Sequence, residues 1–395
     1  MMKSSREIIN LITSIFTGSV VNFPQGIDFH ALFSFAARHQ IVNVIYYALK
    51  KSKNFQSNDV INQALVGVWK NAQRSEKQLK ENKILCDALT ENKIDFMPVK
   101  GTALKELYPS HELRQMADID ILIRIDQYKK IAPIMEALGY ELYTESDHEW
   151  TWIKGKGICV ELHKRLIPSY NKDYYAFFGD GWDKAKQNKD NPYLYEMSAE
   201  DNFVYIFTHF AKHYRDAGIG IKHMLDLWVY LNANRDMNMN YIKKNLTDLK
   251  LYKFYINIEY TLKTWFEGAK ETKISKAITD TVFESGSYGL KSNQVLSAAL
   301  KASNETKSKN QAKMKHIFKV VFLSKEQLSK KYPSLNKYPI LLPFFWWYRA
   351  TTALLFRRHN IKNQINMVKK IKSDDMMDYK KKLNFVGLDF NFSED

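Results

Sequence analysis

The sequence predicts an α+β protein, a mixed α/β core set between largely helical N-terminal and C-terminal regions. Three observations lead there. Before residue 90, apolar residues recur at helical spacing, as in Phe29, Leu32, Phe33, Phe35 and Ala36, the pattern of helices with one buried face. From Ile94 to about Leu166, short apolar runs alternate with helix-like stretches and glycine turns. From about residue 195 the helical stripes return. At 395 residues, 45% hydrophobic and 14% aromatic, the chain is long enough for two or three domains and too apolar to stay disordered. The divisions predicted are a helical region over 1–90, an α/β core over 91–170, a helical domain over 171–300 and a basic helical region over 301–395.

The N-terminal stretch MMKSSREIINLITSIF has a basic start, a short interrupted apolar run and no small-residue cleavage site. It is expected to be a helix and not a signal peptide. Ile41, Val44, Ile45 and Leu49 continue the helical spacing, and a long segment from about Asn62 to Asn92 carries few breakers. Two cysteines, Cys86 and Cys159, are too few for a disulfide framework and lack metal-site spacing. A reducing, cytoplasmic setting is expected.

The core reads as a strand at 94–99, a Lys-Gly turn, a helix at 102–108, a strand at 118–124 and a helix at 126–138 capped by Gly139. One or two strands follow in Tyr140–Ile153, then a Gly155–Gly157 turn and a last strand, Ile158–His163. Residues two apart on a strand share a face. Asp118 and Asp120 therefore stand side by side, and Glu161 shares its face with Cys159 and His163. Like charges that close repel unless a cation sits between them, and a carboxylate pair with room for water suits Mg²⁺. Upstream, Gly101 permits close backbone approach to an anion, with Lys100, Thr102 and Arg114 nearby in sequence. His148 and Glu149 lie beside Trp150 and Trp152, where packing is the expected role.

Lys100-Gly101, then Asp118-x-Asp120, then Glu161 resembles the polymerase-beta-like nucleotidyltransferase superfamily. More narrowly, KGTALKELYP, LRQMADIDILI, ALGY and VELHKRL resemble the bacterial family of uncharacterised nucleotidyltransferases, with its KG-x-AL, R, DIDLL, GY and E-x-H pattern. FVYIFTHFAKHYRDAGIGIKHMLDLWVYL and KYPSLNKYPILLPFFWWYRA resemble that family's helical part, so the likeness covers roughly residues 30 to 360. It implies a polymerase-beta-like core that moves a nucleoside monophosphate from NTP·Mg²⁺ (or Mn²⁺) to an acceptor and releases pyrophosphate. It implies two metal ions on Asp118, Asp120 and Glu161, with Glu161 able to take the nucleophile's proton. Lys100, Gly101, Thr102 and Arg114 would hold the triphosphate. The acceptor is a small molecule, a protein or RNA. The departures are Gly-Thr where Gly-Ser is usual, an interval of 17 residues from Gly101 to Asp118, and Lys164 after His163 where an aromatic residue is common. None removes a metal ligand. The alternative is a non-catalytic nucleotide- or anion-binding module.

In the helical domain, which would supply the substrate side, Phe203, Ile206, Phe207, Phe210 and Ala211 form a stripe. His209 and His213 are four apart, as zinc ligands are, but no HExxH glutamate lies between them and no third ligand stands out. They are expected, with Asp216 or Asp226, to line a cleft, as His163 is to touch substrate or orient a ligand. The charge of +16 is uneven: residues 301–382 hold 20 Lys/Arg against 5 Asp/Glu. That block points to an anionic partner, whether nucleic acid, an acidic membrane surface or an acidic protein, or to a solvated helical face. Tyr338–Phe356 is apolar and long, but Pro339, Pro343 and Arg349 argue against a span. Packing in the core is the favoured reading and peripheral membrane contact the other.

Overall fold

A computed structural model of the chain describes residues 5–304 except 156 and 170, then 325, 328, 332, 334–348 and 373–388. Its centre is a five-stranded sheet in the order β1-β2-β5-β4-β3, formed by Phe96–Pro98 (β1), Ile119–Ile123 (β2), Glu141–Glu145 (β3), Glu149–Lys154 (β4) and Ile158–His163 (β5). β2 and β5 run parallel, and the other neighbouring pairs are antiparallel. This mixed sheet with flanking helices matches a polymerase-beta-like core. The stretch 140–153 resolves into two strands, β3 and β4, with a register shift between Leu142 and Thr144.

Alternation along β2 divides the sheet's two faces. Ile119, Ile121 and Ile123 join Val160 and Leu162 of β5 in one apolar cluster. That cluster is closed by Leu85 and Leu89 of helix α4 (Asp59–Glu91) and by Ile131 and Met135 of α6 (Tyr128–Ala137). Asp118, Asp120 and Leu122 fall to the other face, towards the helical domain. Leu122 there joins the larger core built by the N-terminal and later helices.

N-terminal to the sheet come α1 (Ser5–Thr17), α2 (Phe29–Arg38) and α3 (Val42–Lys51), before the 33-residue α4. Asp28 and Asn58 cap α2 and α4 by accepting from Ala31 N and Ile61 N, which satisfies backbone donors a helix start leaves open. α4 joins the two cores, Ile61 and Val68 in one and Leu85 and Leu89 in the other. Two of its polar residues, the buried Gln78 and the exposed Arg74, have a purpose. Gln78 donates to the Met116 carbonyl at 3.0 Å and Arg74 to the Ala117 carbonyl at 3.1 Å. The loop that delivers Asp118 is thus hung on α4.

After α5 (Gly101–Glu106) and α7 (Lys172–Phe178), the chain continues through α8 (Ala199–Asp216), α9 (Ile221–Ala233), α10 (Met239–Asp248), α11 (Tyr252–Phe266), α12 (Lys273–Ser285) and α13 (Lys291–Asn304). Ahead of α8 lies a small hairpin, Ala185–Gln187 with Tyr195–Met197, that no sequence signal announced. Its loop leans on the sheet, where Phe96 N donates to the Tyr193 carbonyl. The described C-terminal residues are largely helical, ending in a helix at Ser373–Phe385. Most of the basic block 301–382 lies outside the described residues, as does 349–356 of the long apolar stretch. Within 338–348, Phe344 is 63% and Trp347 75% exposed, while Phe345 is half-buried and stacks on Tyr332. Among the described residues, no helix is long and apolar enough to cross a membrane.

Candidate active site

Strand register brings the acidic residues together. Asp120 of β2 stands opposite Glu161 of β5, and Glu149 of β4 stands opposite His163. Asp120 is buried, and its Oδ1 lies 2.7 Å from His163 Nε2 and 3.3 Å from Lys100 Nζ. An ionised carboxylate only accepts, so Nε2 carries the hydrogen and donates to Asp120. That leaves His163 Nδ1 as a bare lone pair, buried and without a hydrogen-bond partner among the described residues.

Lys100 reaches this place from a strained turn. Its φ is +52° with ψ −106°, a conformation outside the regions a side chain ordinarily allows. Val99 N donates to the Asp120 carbonyl at 3.0 Å, which ties the turn to β2. Gly101 itself has no unusual φ, and its glycine identity is a matter of space. A Cβ there would stand 2.7 Å from Met116 Sδ and 3.4 Å from Arg114 Nη1.

The electrostatics follow from crowding. Burial pushes the Asp118 and Glu161 carboxyls above their ordinary values, and neighbouring carboxylates, Asp120 among them, push the same way. Burial would raise Asp120 too, but Lys100 and His163 hold it well below the usual range. Lys100, with Lys222 acting from farther off, therefore serves several carboxylates, a crowding of negative charge that a divalent cation relieves. Among the described residues, donor atoms near enough to share an ion gather in two groups: Asp120, Glu161 and His163, and His148, Glu149 and His163. Asp118 belongs to neither. Their oxygen and imidazole donors suit divalent metals.

A cleft of about 330 Å³ opens over this face. Asp118, Asp120, Glu161, Lys100 and Gly101 line its sheet side. Thr102 does not line it; that residue is buried and its Oγ1 has no partner among the described residues. The facing wall comes from α8 and α9. His209 and His213 line it, their Nε2 atoms 2.9 Å apart, with Lys222 and His223 of α9 beside them. Burial, with nearby cations, lowers His213 to about 4 and His223 to about 3, so both imidazoles are neutral near pH 7. Burial and the Arg114 charge lower Lys222 to about 8. Lys222 and His223 escaped the sequence reading because helical spacing alone marks IKHMLDLWVYL as core. Asp226 reaches the cleft, whereas Asp216 pairs with Arg215 and Lys301.

Arg114 is already engaged. Its Nε and Nη2 donate to Asp226 Oδ1 and Oδ2 at 2.7 and 3.0 Å, and its Nη1 to the Gly101 carbonyl at 3.0 Å. Tyr108 donates to the same Asp226 at 2.7 Å. The guanidinium thus links α9 to the Lys100 turn.

Against models of known protein families, residues 25–267 match the family described as uncharacterised nucleotidyltransferase. The chain belongs to that family. The match takes in α2 to α11, and so the sheet, both cleft walls and the Arg114 clamp, but not the C-terminal stretch 331–350 whose likeness the sequence suggested. No curated protein matches the chain. Among solved structures, the solution structure of the antibiotic-resistance factor ANT(2'')-Ia aligns with 49% of this nucleotidyltransferase-family chain and 100% of its own at 12% identity. Its TM-score is 0.34, too slight a likeness to say anything of this chain's chemistry.

Proposed function

We propose that this chain moves a nucleoside monophosphate from a metal-bound NTP to an acceptor hydroxyl or other nucleophile. One observation carries the reading: Asp120 and Glu161 stand opposite each other on adjacent strands, and Asp118, just before β2, joins them in lining a cleft that also receives Lys100. Two divalent ions, Mg²⁺ or Mn²⁺, held by these carboxylates would supply positive charge to the reacting phosphate and its leaving group.

The chain's own groups do the rest. Lys100 has donors beyond the one directed at Asp120, and they meet a phosphate oxygen. Arg114 acts through the Gly101 carbonyl, holding the turn in place. Gly101 and Thr102 shape that turn. The acceptor oxygen attacks the α-phosphorus, the bond to the bridging oxygen breaks, and pyrophosphate leaves. The acceptor's proton passes to a Glu161 carboxylate oxygen. His209 and His213, on the opposite wall, would face the acceptor.

A second reading rests on Lys100, whose ammonium already neutralises Asp120. In it the site binds a nucleotide or other anion without turnover, and residues 301–382 dock nucleic acid or a membrane surface. One experiment separates the two. The full chain is incubated with each α-labelled NTP and Mg²⁺ or Mn²⁺, and label is followed into protein, RNA and small molecules alongside pyrophosphate release. Transfer should occur and vanish in Asp118→Asn and Asp120→Asn while far-UV circular dichroism is unchanged. Turnover retained in both variants refutes the catalytic reading, and binding without transfer supports the second.

A further inference from the structure

Beneath the cleft, on the same sheet, lies a group of side chains that the proposed chemistry does not use. Glu149 opens β4 directly opposite His163, and His148 precedes it in the turn. His163 Nδ1 is 3.7 Å from Glu149 Oε2, and His148 Nε2 is 3.8 Å from the same oxygen. The donor atoms of the three residues lie within 4.8 Å of one another, yet none hydrogen-bonds another. None of the three lines the cleft.

The protonation pattern makes this arrangement costly as it stands. His163 spends its one hydrogen on Asp120 through Nε2, so Nδ1 turns a lone pair towards the Glu149 carboxylate. His163 is 1% exposed, so bulk water does not reach Nδ1, while the Glu149 carboxylate is partly exposed. Burial and the nearby His163 and Lys100 lower His148 to about 2, so this imidazole is neutral and one of its two nitrogens carries a lone pair. The His163 Nδ1 lone pair and the Glu149 carboxylate thus face each other with no hydrogen between them, and His148, whose Nδ1 also has no hydrogen-bond partner among the described residues, stands beside them. A buried acceptor without a donor is costly, and a cation shared by His163 Nδ1, Glu149 and His148 would relieve it.

The geometry points to a second metal site in this protein, formed by His148 Nε2, Glu149 Oε2 and His163 Nδ1 and suited to Zn²⁺. Two imidazoles and one carboxylate are borderline donors that favour zinc over magnesium. In a tetrahedral zinc site with bonds of about 2.0–2.1 Å, donors lie roughly 3.4 Å apart. The observed separations therefore need closing by a few tenths of an ångström for the Glu149 contacts. The fourth position is left for water. Ligation at Nδ1 locks the tautomer in which Nε2–H holds Asp120, the outer-shell arrangement in which a carboxylate, a histidine and a metal stand in line. The zinc thus acts on Asp120 as a positioning device, apart from the ions proposed on the carboxylates of the cleft.

The test uses the full chain, stripped with a chelator and titrated with Co²⁺, a visible-absorbing stand-in for Zn²⁺, and separately with Zn²⁺ followed by elemental analysis after gel filtration. Wild type and Asp118→Asn should both retain one Zn²⁺ per chain and show the intense visible bands of tetrahedral Co²⁺. His148→Gln and Glu149→Gln, each checked for native circular dichroism, should lose the bands and bind at least tenfold more weakly. Visible bands and zinc content unchanged in either folded variant, or a wild type that binds neither ion, overturn the proposal. Because the readout needs no turnover and Asp118→Asn keeps it, failure of nucleotidyl transfer and failure of this site are separately visible.

Discussion

Replacing Asp226 by Ala tests how the cleft is held together. Its carboxylate accepts from Arg114 Nε at 2.7 Å, from Nη2 at 3.0 Å and from Tyr108 at 2.7 Å. Both charged side chains are nearly sealed from water, 6% and 8% exposed. Asp226→Ala leaves a buried guanidinium facing a void and a buried phenol without its acceptor. Breaking one side of such a pair costs about 3–5 kcal/mol, mostly because the surviving charge is stranded. The expected result is a loss of that size in urea unfolding, with tryptophan fluorescence and circular dichroism required to coincide. Removing the whole constellation, as Arg114→Met/Asp226→Leu/Tyr108→Phe, should recover most of the loss, since well-packed apolar replacements of a buried ion pair are often neutral. Pyrophosphate release should stay low in the triple variant, because Gly101 has still lost its Nη1 anchor. A cost below about 1 kcal/mol for Asp226→Ala would refute the reasoning, as would full activity in the triple variant.

Gly101→Ala should cost about 1–3 kcal/mol through overpacking against Met116, and Met116→Ala in the same chain should restore most of it, read from thermal midpoints. Gly220→Ala should be worse and should resist rescue by side-chain trimming, because its Cβ would meet backbone, Ser287 N at 2.6 Å and the Gly286 carbonyl carbon at 2.7 Å. Acid should destabilise the fold through Asp226. Burial alone would raise its pKa, but the Arg114 charge and hydrogen bonds leave it below the ordinary value. A depressed carboxylate contributes stability above its unfolded value of about 3.9 and loses it as pH falls through the folded one. Stability from this group should therefore be flat from about pH 7 to 5 and fall below about 4, and Asp226→Asn should flatten that fall. Chelation should abolish pyrophosphate release and Mg²⁺ should restore it; release that persists in excess chelator would count against metal-held phosphate.

The sheet was legible because its cues are local. Alternation in DIDILI and in ICVELH sets the two faces of β2 and β5, and glycines mark the turns. That Asp120 would lie opposite Glu161 was less visible, since it depends on β2 and β5 pairing in parallel across α6 and the β3–β4 hairpin. The reading of Arg114 fell short for a similar reason: Asp226, which engages it, lies 112 residues away. Lys100 was read as a phosphate ligand, and nothing in the sequence shows that its turn is strained or that its ammonium meets Asp120. His148 and Glu149 beside two tryptophans read as packing; only the opposite register of β4 and β5 brings them to His163. Buried polar residues of α4, such as Gln78, look like errors in an amphipathic pattern until the loop they hold is seen.

The cleft separates charge by structural element. Its sheet side carries Asp118, Asp120 and Glu161, with Lys100 as their near cation. Its helical side carries neutral imidazoles, Asp226 already paired with Arg114, and Lys222, whose ammonium burial and Arg114 make easier to lose. A cation is drawn to the first wall and an anion to the second, because each would relieve a local excess. A metal-bound triphosphate presents both signs at once. Under the proposed reading it would enter with its metal towards β2 and β5 and its uncompensated phosphate oxygens towards α9, drawing the Lys222 pKa upward as it binds. Lys222→Met should then raise the KM for the NTP more than it lowers kcat, whereas His209→Ala, beside the acceptor, should lower kcat at saturating NTP. If Lys222→Met leaves KM unchanged, the helical wall does not receive the triphosphate and the polarity assigned to the cleft is wrong.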